Sequence, residues 1–195
     1  MNDSNDLDLL SDLINRARAA GADEADVILV RSTSQDATWR MGRNEGVERS
    51  EANDLGLRVL IGKRQAVVST TDLGVGAIAE IVERALAMAK AVPEDPYCGL
   101  PDIEHLAVEI PDLDLSDDSE PSSDDLLAWA EEAEDAARGT KGITNSEGAE
   151  ASWSEGRVAL AASNGFAGTY RGTRFGVSVS VVAGSGTGME RDYEF

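Results

Sequence analysis

The chain has 195 residues with 17 Lys and Arg against 37 Asp and Glu, a formal charge of −20. That acidity excludes the net basic footprint of a nucleic-acid binder and disfavours docking on an anionic membrane surface. A hydrophobic content of 42% suffices for a buried core over one or two domains, and a single cysteine, Cys98, cannot close an internal disulfide, which suits a reducing compartment.

The start, Met1-Asn2-Asp3-Ser4-Asn5-Asp6, is acidic, whereas a secretory leader needs a basic start and a long apolar stretch. The longest apolar runs are five residues, as at 85–89, far short of the roughly 20 that span a bilayer. The expected location is the cytoplasm. Leu7, Leu10, Leu13, Ile14 and Ala17 share one helical face, with Asn5 as N-cap, Asp6 and Asp8 in the first turn and Gly21 closing the helix in a left-handed conformation.

Strand-like runs follow: 27–30, 37–41 after the polar Thr33-Ser34-Gln35-Asp36, and 47–51 as an edge strand after a turn at 42–44. Leu55, Leu57, Val59 and Ile61 alternate strictly and predict one buried face. Gly62-Lys63 then turns the chain into 66–70, and such short connections favour antiparallel hairpins. A second helix, capped at Thr71 or Asp72, carries the stripe Ala77, Ile78, Ile81, Val82, Ala85, Leu86 and Ala89 and stops before Pro93 and Pro96.

Residues 91–137 contain 16 acidic side chains and no Lys or Arg, and all five prolines lie between Pro93 and Pro121, which predicts a solvated, extended connector. Within it, Ser122 and Ser123 precede Leu126, Trp129, Ala130, Ala133 and Ala137, a third helix stopped by Gly139. Beyond Ile143 the alternation at 151–153, 158–162 and 177–182 marks a second β-rich unit, and the ending at 189–195 reads as mid-strand, as in a truncated unit. The fold class expected is α+β: an N-terminal antiparallel sheet flanked by helices (1–92), an acidic Pro-containing connector with a helix (93–140) and the start of a second β-rich domain (141–195).

Chemical motifs are few. Gly74-Val75-Gly76-Ala77-Ile78-Ala79 has the G-x-G-x-x-A form of a dinucleotide fingerprint, but no parallel strand follows and no acidic residue ends one about 20 residues on, so the glycines read as a loosened helix entry. His105 and Glu109 are four apart, yet prolines bracket them and two ligands do not make a catalytic zinc site. His105 is expected on the surface. With one histidine, no Ser-His-Asp or Cys-His set can be assembled, and Cys98 reads as an inert thiol without basic neighbours in sequence. Asp117-Asp118 and Asp124-Asp125 lack EF-hand spacing and read as a solvated acidic face, the latter pair favoured by a helix dipole. No catalytic, metal or cofactor residue is assigned.

Six segments in order nonetheless resemble the TldD/PmbA family: Gly21–Val27, Ser69–Leu73, Asp95–Gly99, Pro111–Leu115, Ile143–Ala149 and Met189–Tyr193, the last two being similar to its PmbA branch, also called TldE. The resemblance implies a cytoplasmic, non-catalytic subunit that pairs with a TldD-type partner in a heterodimeric metalloprotease. That complex degrades unfolded or extended peptides, matures the leader of a peptide antibiotic and removes an antitoxin. By the same resemblance the zinc belongs to a histidine-glutamate-histidine motif in the TldD-type partner, and no residue here matches it. The family's older name, modulator of DNA gyrase, implies an alternative: an acidic binding protein that presents 91–137 to gyrase. Residues 143–195 are expected to form an assembly or peptide-docking surface, since unpaired strand edges accept further strands. Self-association into a homo-oligomer is a further expectation.

Overall fold

The computed structural model describes residues 3–195. Helix α1 (Asp3–Ala19) leads into strands β1 (Glu24–Arg40), β2 (Arg43–Ile61) and β3 (Arg64–Thr70). Helix α2 (Val75–Ala91), a long connector and helix α3 (Ser123–Arg138) follow, then β4 (Ile143–Ala162), β5 (Ala167–Ala183) and β6 (Glu190–Glu194). The six strands form one antiparallel sheet in the order β3-β2-β1-β4-β5-β6, so the α+β class is as expected.

Cα packing divides the chain into two compact units that interleave along the sequence. The first comprises the residues up to Arg31 together with Ala52–Leu113 and Gly156–Arg171. The second comprises Ser32–Glu51, Asp114–Glu155 and Gly172–Phe195.

In the first unit the alternation in β2 does what the pattern predicts. Leu55, Leu57 and Val59 are fully buried, and the antiparallel register sets Leu57 against Val68 and Val59 against Ala66. They meet Leu10, Leu13 and Ala17 of α1 and Ile78, Ile81, Val82, Ala85, Leu86 and Ala89 of α2 in one apolar cluster. Burying each large aliphatic side chain contributes about 1.5–3 kcal/mol, which is what holds two amphipathic helices on a sheet. Leu60, off the alternation, is also buried, and its carbonyl accepts the Asp23 N–H at 2.9 Å.

Helix ends differ in detail from expectation. Helix α1 begins at Asp3, so Asn5 lies inside it rather than capping it. Asp6, near the start of the helix as expected, is buried, and its carboxylate accepts from Arg31 Nε and Nη2 at 3.1 and 2.8 Å. A buried carboxylate needs such a partner, and only the fold brings Arg31 to it. Gly21 takes φ +114°, and Ala22 N–H returns to Ala17 O at 3.0 Å, the expected left-handed stop. The N-cap of α2 is Gly74 rather than Thr71 or Asp72; the Asp72 carboxylate accepts the Gly74 N–H at 2.7 Å, one step before the helix.

Strands β1 and β2 are each continuous where sequence runs had suggested separate short pieces. Thr33-Ser34-Gln35-Asp36, expected as a break, lies within β1. With neighbours on both sides supplying backbone partners, a polar stretch stays in register. Gln35 is buried there, donating to Glu120 Oε1 at 3.1 Å.

In the second unit α3 lays Leu126 and Ala130 against Ala37, Ala149, Ala151 and Trp153. Ser122 caps it in a reciprocal box with Asp125, as a serine before an acidic first turn should. Gly139 ends the helix but is right-handed, at φ −67°; the positive φ falls three residues later at Gly142, +101°. The connector is largely exposed, Val108 at 96% and Tyr97 at 94%. It is nevertheless stitched down at intervals: Asp95 N–H to Lys63 O at 2.7 Å in the first unit, and Thr173 N–H to Leu115 O at 2.9 Å in the second. Among the described residues no helix is long and apolar enough to cross a membrane.

Candidate functional site

The first unit contains an apolar cavity of about 280 Å³, lined mainly by Leu100, Pro101, Leu106, Leu160 and Phe166. The connector forms one wall because Asn164 Nδ2 donates to Pro101 O at 2.9 Å and Leu100 N–H reaches Glu24 Oε2 at 3.4 Å. Asp26 also lines the cavity, but its carboxylate is occupied by Arg58 Nε at 3.0 Å. The hydrogen bond to Asp26 raises the Arg58 pKa above its ordinary value. A cavity of this lining accepts an apolar group; the Asp26 carboxylate is engaged by Arg58 and the Asn164 amide by Pro101 O and the Phe166 N–H.

His105 lies at this cavity on a three-residue 3₁₀ turn, Ile103–His105. The structure groups it with Asp102 and Glu104, whose ligand atoms lie within 4.8 Å of one another, and not with Glu109. All three are exposed, Glu104 and His105 on the turn and Asp102 just before it. A catalytic zinc site sets three ligands in fixed orientations through outer partners, and three exposed side chains within four residues of one another do not meet that requirement. The donor set does not fit a resident catalytic metal, and no reaction step is derived through one.

The other motifs have local tasks. Gly74 and Gly76 open α2 after β3, an antiparallel edge strand, so the parallel context of a dinucleotide site is absent there. Asp117 accepts the Ser119 N–H at 2.7 Å, and its own N–H donates to Thr173 Oγ1 at 2.8 Å. Asp125 accepts from the Ser122 hydroxyl and N–H, first the side chain and then the backbone, which lowers its pKa. Asp124 shares that first turn. Cys98 is buried, as an inert thiol would be, but it does have basic neighbours: Lys63 Nζ donates to its carbonyl at 3.2 Å, and Arg58 is close enough to interact with it electrostatically. Neither was legible from the local sequence.

Sequence reasoning missed Glu134. It is fully buried in α3 of the second unit, and its two oxygens accept the N–H groups of Met41 at 2.7 Å and Gly42 at 3.1 Å. Burial alone would push its pKa up, but hydrogen bonds from Ser146, Met41 and Gly42, with Arg138 nearby, hold it below the ordinary carboxylate value. Met41 and Gly42 both have positive φ, +50° and +73°, the conformation of the two-residue turn between β1 and β2. The one sequence signal was an acidic residue on the apolar side of the α3 stripe, beside Ala130 and Ala133.

Two family descriptions match the chain: PmbA/TldA metallopeptidase domain 1 over residues 25–89 and the PmbA/TldA metallopeptidase central domain over residues 116–195. Metalloprotease PmbA of Escherichia coli is 37% identical over 175 residues, 89% of this chain and 39% of the relative. A PmbA homologue of Haemophilus influenzae is 33% identical over 93% of this chain and 40% of the relative. The chain thus spans about two fifths of the length of these curated relatives. Among solved structures, a protein described as a modulator of DNA gyrase from Bacteroides thetaiotaomicron superposes with a TM-score of 0.85 at 22% identity, over 95% of this chain and 43% of the other. TldE from Thermococcus kodakarensis superposes with a TM-score of 0.77 at 19% identity, over 95% and 42%. These likenesses show the shared fold. With both family domains in order and PmbA proteins at over 30% identity along most of its length, the chain belongs to the PmbA/TldD family.

Proposed function

We propose that this chain is the N-terminal portion of a PmbA/TldE-type subunit, which pairs with a TldD-type subunit in a cytoplasmic metalloprotease complex acting on unfolded or extended peptides. In that complex the zinc and the catalytic residues belong to the partner, and this chain contributes binding surface. The observation that carries the reading is the 37% identity to Metalloprotease PmbA over 89% of the chain. The likeness to TldE from Thermococcus kodakarensis, at a TM-score of 0.77, supports the same fold for this segment.

Two surfaces suit an extended peptide. The outer edge of β6 is unpaired among the described residues and offers backbone groups to any strand whatever its side chains. The apolar cavity beside Phe166 takes a side chain of matching size. Residues 143–195 remain the proposed docking segment, with 1–92, 93–140 and 141–195 as the proposed organisation along the chain.

The test is reconstitution. The full-length protein, alone and mixed with the TldD-type subunit of the same organism, is assayed on casein and on an unfolded peptide with and without chelator. Chelator-sensitive cleavage only in the mixture, with co-elution of the two subunits, is the expected result. Cleavage by the protein alone, or failure to co-elute with the TldD-type subunit, overturns the reading.

A further inference from the structure

The apolar cavity of the first unit is shaped by segments that all belong to that unit. Leu160 and Ala162 of β4 form one wall, Leu100, Pro101 and Leu106 of the connector another, and Phe166 stands in the turn between β4 and β5. These segments are tied together. Asn164 bridges Pro101 O, at 2.9 Å, and the Phe166 N–H, at 3.3 Å, while the Ala162 N–H reaches Phe166 O at 2.9 Å. An engineered apolar cavity of about 150 Å³ holds one benzene ring. At about 280 Å³ this one has room for a fused pair of rings.

The connector backbone beside the cavity is already engaged. The Leu100 N–H goes to Glu24, Pro101 has no N–H and its oxygen takes Asn164, and the His105 and Leu106 N–H groups close the turn onto Asp102 O and Ile103 O at 2.9 and 3.1 Å. Strand-like capture of a peptide needs free backbone groups. An occupant here is therefore recognised by its shape and its charge.

The charge at the rim has one sign. No Lys or Arg lines the cavity among the described residues, and the one carboxylate of the lining, Asp26, is paired with Arg58. His105 lines the cavity, and the carboxylates of Asp102 and Glu104 lie within 4.8 Å of its ring nitrogen and of each other, all three side chains being exposed. An apolar interior beside two exposed carboxylates suits a group that is apolar at one end and positive at the other. The overall charge of −20 works in the same direction, drawing cations and repelling anions.

We infer that this cavity binds a small amphiphilic amine, whose apolar body of up to two fused rings enters between the connector and Phe166 while its ammonium group stays outside beside Asp102 and Glu104. The apolar body supplies the affinity and the rim supplies the selection. The inference goes beyond the peptidase reading and leaves its reconstitution test untouched.

Three probes of one shape and different charge test it on the full-length protein by isothermal titration calorimetry: indole, tryptamine and 3-indolepropionate. Tryptamine should bind most tightly and 3-indolepropionate least. The preference for tryptamine over indole should be on the order of fivefold, the upper end for exposed ion pairs, and should shrink in 1 M salt. Burial of the ring should give each binding event a negative heat-capacity change, and ethylamine, which has the charge without the ring, should not bind.

Two variants separate the body from the charge. Asp102→Asn combined with Glu104→Gln alters only exposed side chains; it should leave indole binding unchanged and bring tryptamine to the level of indole. Ala162→Leu fills the cavity and should abolish binding of all three probes, with circular dichroism confirming that the protein is folded; should it not fold, the charge variant alone carries the test. Failure of every indole to bind overturns the inference, as does equal affinity for the three. A tryptamine preference that survives the charge variant overturns it too. An end-blocked peptide with an internal Trp that binds more tightly than tryptamine also overturns it, by giving the cavity a peptide occupant.

Discussion

Glu134 and Met41 are 93 residues apart in sequence and joined by a 2.7 Å hydrogen bond, the carboxylate of α3 accepting the backbone N–H at the tip of the β1–β2 hairpin. The second oxygen takes the neighbouring Gly42 N–H at 3.1 Å. A left-handed turn points both amides the same way, and a buried carboxylate satisfies both at once. Replacing Glu134 with Gln keeps the shape but sets an amide donor against one of those N–H groups. The expected loss is about 1–3 kcal/mol, the cost of an unsatisfied buried donor, read from chemical denaturation.

The same carboxylate makes stability pH-dependent. Its folded pKa lies below the reference value of 4.5, so its contribution is complete above the unfolded pKa and is lost as pH falls through the depressed folded value. Acid titration of the melting temperature should therefore fall more steeply for the parent than for Glu134→Gln. Parallel acid limbs would remove Glu134 as a source of the dependence.

Met41 is 47% exposed and adopts φ +50°, a conformation that Asn and Gly take more readily than a residue with a long side chain. Met41→Asn should raise stability by about 0.5–1 kcal/mol while keeping the N–H that Glu134 needs. A decrease would mean that the Met41 side chain contributes packing its exposure does not suggest.

Ile81, 2% exposed, faces the β2–β3 sheet from the centre of the α2 stripe. Ile81→Asp buries a charge with no partner and should cost more than about 3 kcal/mol, enough to unfold a domain of ordinary stability. An unchanged melting temperature would show that the core face of α2 is misassigned.

Cys98 should react with a thiol reagent only at the rate of local or global opening, since it is buried. Stoichiometric labelling within seconds in native buffer, at the rate of a free model thiol, would contradict its placement.

Local pattern alone identified the apolar stripe of α2, the alternation at Leu55, Leu57 and Val59, the start of α3 after Ser122 and Ser123 and the left-handed Gly21. Each depends on residues within a few positions of one another, where helical and strand periods operate. The residues of 43–61 were also written in the sequence, but only the tertiary structure shows that they form one continuous strand of which β3 pairs with Leu55–Ile61 alone. Asp6 and Glu134 looked like two more carboxylates in a chain of 37 acidic residues. What distinguishes them is a partner, Arg31 for one and the Met41–Gly42 turn for the other, supplied from 25 and more than 90 positions away. A carboxylate becomes buried only when the fold has brought donors to replace its water, and no short-range pattern records where those donors will come from.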